Sequence, residues 1–286
     1  MLEAYMDLRQ GKFEKAIREF NEAITRDPGN SVSIQSLAIS LFYMRQFHAA
    51  EQTYDRIIEL SPGQPILKVQ KAFFVTSMKT GDDAGFWSAI AALPPSIAED
   101  PGVVCWQMNY ALADRNWQQA KGLLERMKHG EDNQFAYANV AVPVGCYAIL
   151  LARLEGEQSG DPNFVQTRDR LDQKVKKSPG NAQLLSSLGV VDALLGHKEA
   201  SISEAERAVE MLPISKDALI GSGTVTNLAV VYAWNDELDQ AFGILNPLAK
   251  TPYGIYFGQL KLDPYWEPLR KDPRFAQLLT ELAPKD

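Results

Sequence analysis

Apolar and small residues recur in register along the first part of the chain. Laid over one another, GKFEKAIREFNEAITRDPGN (11–30) and RQFHAAEQTYDRIIELSPGQ (45–64) align Phe13 with Phe47, Ala16 with Ala50, Phe20 with Tyr54 and Pro28 with Pro62, each pair 34 residues apart. The pattern predicts one helical hairpin per unit. The alanine lets two helices approach closely, the aromatic fills the space between them, and the proline stops the second helix. A lone hairpin cannot bury its apolar face, so the units must stack. Strand signals are nearly absent. KAFFVTSM (71–78) is short and apolar, but its place in the register makes it helical.

The period, the small residue, the aromatic one turn later and the closing proline together resemble the tetratricopeptide repeat. Trp117, Ala120 and Leu124 then fall in the second helix of a later unit. Leu188, Gly189, Gly196, Ala208 and Pro213 sit at the offsets of another, and Ala229, Tyr232, Leu238, Ala241 and Leu245 at those of a last one. The resemblance implies an all-α fold, a right-handed α-α superhelix of about seven helical hairpins with a C-terminal capping helix. Residues 1–257 are read as the array, irregular around 80–102 and 154–181, and residues 258–286 as the cap.

The closing stretch GQLKLDPYWEPLRKDPRFAQLLTEL (258–282) differs from the repeats. Phe275, Leu278, Leu279 and Leu282 form a helical stripe, and Asp272 before Pro273 has the form of an N-cap followed by proline in the first turn. Trp266 and Leu269, in a proline-bounded turn, are expected to plug the end of the core. The last hundred or so residues are similar to the C-terminal end of bacterial multidomain signalling proteins. In those, a tetratricopeptide array follows a serine/threonine kinase, a nucleotide cyclase or a winged-helix DNA-binding domain. The chain has no kinase glycine loop and no HRD or DFG segment, so the resemblance implies only the sensory or adaptor role. The first repeat, extrapolated backwards, starts upstream of Met1, which reads as a piece of a longer protein or as a short first helix.

Net charge is −7, and the only basic run, Lys174-Val175-Lys176-Lys177, reads as the solvated end of a helix, which argues against direct nucleic-acid binding. Two cysteines, Cys105 and Cys146, lack CxxC spacing and fit small buried helix positions in a reducing, cytoplasmic setting. The N-terminus carries no apolar signal core. Residues 134–152 contain no charge, but Asn139, Pro143 and Gly145 interrupt them, so a buried helix is expected and no membrane contact. His48, His129 and His197 are scattered, with no HExxH and no zinc ligand set. GSGTVTN (221–227) lacks a phosphate-loop lysine and reads as a loop before a helix. Asp82-Asp83 and Glu131-Asp132 read as solvated turns. No cofactor, metal or catalytic constellation is expected.

The resemblance further implies that the first helix of each hairpin lines a concave surface. Carrying the register across places Gln35, Ile39, Phe42 and Tyr43 there from the second repeat, and Val69, Phe73 and Ser77 from the third. The fourth adds Cys105, Asn109 and Ala113, the sixth Gln183, Ser186 and Val190, and the seventh Thr226, Asn227, Val230 and Trp234. The expected peptide-binding set is Gln35, Ile39, Tyr43, Val69, Phe73, Asn109, Gln183, Ser186, Asn227 and Trp234. For Tyr43 and Trp234, ligand contact and packing between hairpins are equally open. Gln35, Ser36, Ile39, Val69 and Gln70 stand where tetratricopeptide co-chaperones carry a basic clamp, so an anionic carboxylate tail is not the expected ligand. The expected function is a non-catalytic scaffold binding a protein or peptide in the groove. The alternatives are self-association of a larger protein, for instance through the N-terminal helix, and an unrecognised enzyme using a pocket near residues 80–102.

Overall fold

A computed structural model describes residues 2–127, 134–137, 140–143, 146–156 and 162–284. Among the described residues seven helical hairpins follow one another. They are α1 (Leu2–Arg9) with α2 (Phe13–Arg26), α3 (Ser31–Tyr43) with α4 (Phe47–Leu60), and an irregular third unit. That unit runs from α5 (Ile66–Lys71) through a π-helical turn (Ala72–Ser77) into α6 (Met78–Thr80), then into short α7 (Ala84–Ala91) and the single turn α8 (Pro95–Ala98). The rest are α9 (Pro101–Ala113) with α10 (Trp117–Met127), α11 (Cys146–Glu155) with α12 (Pro162–Lys177), α13 (Ala182–Leu195) with α14 (Lys198–Met211), and α15 (Gly221–Trp234) with α16 (Leu238–Leu248). The chain ends in α17 (Phe257–Leu262), a 3-10 turn (Pro264–Leu269) and α18 (Pro273–Leu282).

The repeat residues do what their spacing predicts. Ala16, Phe20, Ala50 and Tyr54 are all fully buried, so alanine marks the close approach and the ring fills the gap beside it. Burying each ring contributes roughly 1.5–3 kcal/mol. Asn30 and Asn181 cap α3 and α13 by accepting the amides of Ser33 and Leu184, which satisfies a donor that each helix start leaves open. All seven hairpin turns contain a residue with positive φ. Glycine occupies four of them (Gly11, Gly81, Gly156, Gly196), while Arg45, Arg115 and Asp236 occupy the others at φ 59°, 54° and 62°.

Two expectations change. Residues 134–137 and 140–143 are not part of a buried helix. They form an antiparallel hairpin, β1 (Gln134–Tyr137) on β2 (Val140–Pro143), with Gln134 opposite Pro143 and Tyr137 opposite Val140. Val140 and Val142 alternate as strands favour, and Pro143 cannot continue a helix, so α11 starts only at Cys146. The hairpin lies beside α9 on one strand and α13 and α15 on the other. Second, GSGTVTN is not a loop: it is the first two turns of α15. Gly221 is required there because a β-carbon would collide with the backbone of Pro213 and Ile214. His129, Glu131 and Asp132 lie outside the described residues.

Candidate functional site

The surface that the register assigns to a ligand is largely filled by the chain itself. After α16 the backbone crosses to the far end of the array. Tyr253 stacks on Tyr43 at 4.2 Å and on Phe13 at 5.1 Å between ring centres. Tyr256 packs on Phe42 at 4.7 Å and donates its hydroxyl to the Tyr43 carbonyl at 3.1 Å. The segment then turns back along the hairpin row. Gly258 lies so close to the backbone of Ser77 and Met78 that a β-carbon there would collide with both. α17 rests on α6 and α9, and the 3-10 turn rests on α9 and α15. Trp234 donates its indole N–H to the Tyr265 carbonyl at 2.9 Å. The segment's own residues Ile255, Leu260, Tyr265, Trp266 and Leu269 are fully buried.

Two of the three non-glycine turn residues grip this segment. Arg45 donates from Nη2 to the carbonyls of Ala249 and Ile255, both at 2.8 Å, and its guanidinium lies over the Tyr256 ring at 4.8 Å. Arg115 pairs with Glu267 at 2.5 Å. A left-handed conformation costs a side-chain-bearing residue about 1 kcal/mol, and at these two turns the side chain spans the gap between hairpin and tail. The loop before α15 joins the same closure. Arg9 Nε donates to Asp217 at 2.6 Å, and the Ala218 amide donates to the Arg9 carbonyl at 2.8 Å, bringing the seventh hairpin against the first.

The ten expected site residues therefore separate into three groups. Val69, Phe73, Asn109, Ser186 and Asn227 are buried and engaged within the chain in this structure. Phe73 stacks on Trp106 at 5.1 Å. Asn109 donates to the Cys105 carbonyl and to the Tyr147 hydroxyl, at 3.0 and 2.8 Å, and Asn227 donates to Ser186 Oγ at 3.0 Å. Tyr43 and Trp234 are half-buried against the tail, so packing accounts for both, and burial pushes the Tyr43 hydroxyl up to about 12. Gln183 is exposed at the start of α13, while Gln35 and Ile39 are half-buried on α3. Gln35 Nε2 donates to Gln70 Oε1 at 2.6 Å, linking α3 to α5, and Val32 one turn earlier is 52% exposed. This strip, on the neighbouring inner helices α3 and α5, is a part of the expected face that the tail leaves open, as is Gln183 on α13. Val32 precedes Gln35 by the same three residues that separate Gln183 from Ser186, so the repeat spacing that selected Gln183 also points to Val32.

The tail's cap-like end is α18. Asp272 accepts the Arg274 amide at its N-terminus, and Arg274 reaches Asp239 at 2.6 Å and lies over the Phe242 ring, both on α16. Trp266 and Leu269, expected at the end of the core, instead lie across the inner helices α9 and α15.

Titratable groups are placed to hold structure. Burial raises both thiols, Cys105 to about 12, so they stay protonated and inert. Burial opposes ionisation of Asp192, yet Arg168 (2.9 and 3.0 Å) and His197 (2.8 Å) hold it below the usual carboxylate value. Beside it, burial and the charge of Asp192 push Glu204 up to about 8. In the irregular third unit, the Trp87 indole N–H bridges Asp83 and Asp114 at 3.0 and 3.3 Å, and burial followed by the Asp83 charge raises Asp114. Among the described residues no group of His, Cys, Asp and Glu is placed to hold a metal, and no helix is long and apolar enough to cross a membrane.

No protein-family model matches the chain, and no curated protein is similar to it. Among solved structures, the crystal structure of yeast Tom70 is similar at 14% identity and a TM-score of 0.47, covering 96% of this chain and 56% of that one. The chain thus spans little more than half of the Tom70 structure. The structure of YrrB, described as a TPR protein with an unusual peptide-binding site, is similar at 12% identity and a TM-score of 0.27, covering 92% of this chain and 98% of that one.

Proposed function

We propose that the chain is a non-catalytic, tetratricopeptide-like scaffold that binds a protein partner along the open strip of Val32, Gln35, Ile39 and Gln70. One observation carries this reading: the inner helices of two neighbouring hairpins present paired amides beside half-covered apolar side chains, where much of the rest of the inner face is packed within the chain. Amides can exchange their mutual bond for bonds to a peptide backbone, and Val32 and Ile39 supply apolar area. The last hundred or so residues, in their resemblance to bacterial signalling proteins, favour an adaptor role in a larger cytoplasmic signalling chain.

The test uses a photoreactive side chain placed at Val32, or as a control at Val165, which is 50% exposed on α12. The bait is the full chain in lysate of the native organism. A polypeptide trapped from Val32, absent from Val165, and lost with Val32→Glu or Gln70→Lys supports the strip. Equal trapping from both positions, or trapping indifferent to those substitutions, refutes it.

A further inference from the structure

The segment that crosses the inner face is held at both ends by one helix. It leaves α16 after Leu248, and α18, which follows it, docks back on the first half of α16. There Arg274 pairs with Asp239 at 2.6 Å and lies over the Phe242 ring at 4.5 Å. α16 has 11 residues, so the two anchors stand about 15 Å apart or less. Between them residues 249–272 run out to Phe13 and Tyr43 and return over α6, α9 and α15. The segment is a loop on a short base.

Its seat is apolar but poorly paired. Three buried polar groups of the loop, Asp263 Oδ2, the Tyr265 hydroxyl and the Trp266 indole N–H, have no hydrogen-bond partner among the described residues. Two on the elements it rests on, Ser77 Oγ and Asn109 Oδ1, have none either. Each such group carries its full desolvation cost in the closed state and recovers it on returning to water. The loop's regular structure is confined to α17 and the 3-10 turn, six residues each, and Tyr253 is held in a left-handed conformation at φ 58°. The hairpin row, by contrast, is closed without the loop. The Arg9–Asp217 pair and the Ala218 amide on the Arg9 carbonyl join the seventh hairpin to the first.

We propose that residues 249–272 form a strap that swings off the inner face as one unit, on its two anchors at α16, while the hairpins stay stacked. A segment with little regular structure of its own, a costly polar seat and both ends fixed to the same helix is a unit that opens below the free energy of global unfolding. Open, the strap uncovers Phe42 and Tyr43, which continue the α3 strip beyond Ile39, and the inner sides of α6, α9 and α15. The opening stands independently of the partner-binding strip. Only its use by the same ligand rests on that reading.

Amide hydrogen exchange of the full chain, resolved by segment, tests the opening without any ligand. Residues 249–272 should exchange together, roughly tenfold or more faster than the α13–α14 hairpin once intrinsic rates are divided out, while α18 stays protected. Two variants separate strap opening from unfolding of the row. Asn181→Ala removes the cap of α13 and should speed exchange in α13 and α14 roughly fivefold, leaving the strap unchanged. Gly258→Ala, whose methyl meets the Ser77 and Met78 backbone, should speed the strap roughly tenfold. Strap amides that exchange no faster than α13–α14, or that Asn181→Ala speeds by the same factor, leave only when the row unfolds, and the proposal is overturned. Exchange of α18 in step with the strap also overturns it, because the second anchor is then lost. A failed trapping experiment at Val32 bears on the strip alone.

Discussion

Asp263 is the acid on which the seating of the tail can be measured. It stands between α17 and the 3-10 turn and is fully buried. One carboxylate oxygen accepts the Tyr265 amide at 2.9 Å, while the other has no hydrogen-bond partner among the described residues. Burial pushes its pKa from 3.8 to about 7, against the smaller opposing effects of the Tyr265 amide and Arg270. In the folded chain the carboxyl holds its proton more tightly than in the unfolded chain. Its contribution to stability is therefore fully present below pH 3.8 and is lost as pH rises through 7. A shift of about three pKa units is at most about 4 kcal/mol, and about 3 kcal/mol of that loss falls between pH 5 and pH 8. Asp263→Asn keeps an oxygen to accept the Tyr265 amide and removes the titration. In urea denaturation, the stability of the variant relative to the wild type should rise by about 3 kcal/mol from pH 5 to pH 8. A difference that stays constant across that range would show the carboxyl ionised in the folded protein, with Arg270 as its counter-charge, and would refute the reasoning.

The contact of the tail with the hairpin row can be perturbed at other points. Gly258→Ala should destabilise by about 1–3 kcal/mol in the same assay, because the new methyl meets the Ser77 and Met78 backbone, while Gly85→Ala on the open face of α7 should be neutral or stabilising. The two arginine turns should respond in opposite directions to glycine. Arg45→Gly should cost about 2 kcal/mol, the loss of two charged hydrogen bonds to the tail less the relief of the left-handed backbone. Arg115→Gly gives up only a largely exposed ion pair and should leave the chemical midpoint unchanged or slightly higher. Equal losses at the two turns would show that the grip on the tail carries no special weight.

The repeats were readable because their signals are local. Ala16 and Phe20 lie one turn apart on one helix, and their burial depends on a neighbour that the same pattern specifies. The glycines at positions 11, 81, 156 and 196 mark four of the seven turns for the same reason, and the arginines at 45 and 115 hide two others because nothing local calls for a left-handed arginine. The hairpin at 134–143 was hidden by an alanine-rich, uncharged composition that suits a buried helix as well as a strand. Val140, Val142 and Pro143 were the available cue.

The inner face was harder to read, for a reason that Asn109 and Tyr43 make plain. An amide or aromatic on the inner side of a repeat has the same periodicity whether it awaits a foreign peptide or meets another part of its own chain. Asn109 donates to Tyr147, and Tyr43 stacks on Tyr253, 210 positions away. Periodicity reports which way a side chain points and says nothing about what lies opposite. Trp266 and Leu269 did announce that the proline-bounded turn needed burial, but the end of the array and its interior are equally apolar destinations. What separates them is backbone fit. Gly258 admits the chain against Ser77, and Arg45 spans from a hairpin turn to two tail carbonyls. Those contacts join residues about 180 to 210 positions apart, a separation over which no repeat register carries information. A binding face inferred from repeat positions alone must therefore be reduced by whatever the chain itself lays across it, and here that leaves the strip from Val32 to Gln70.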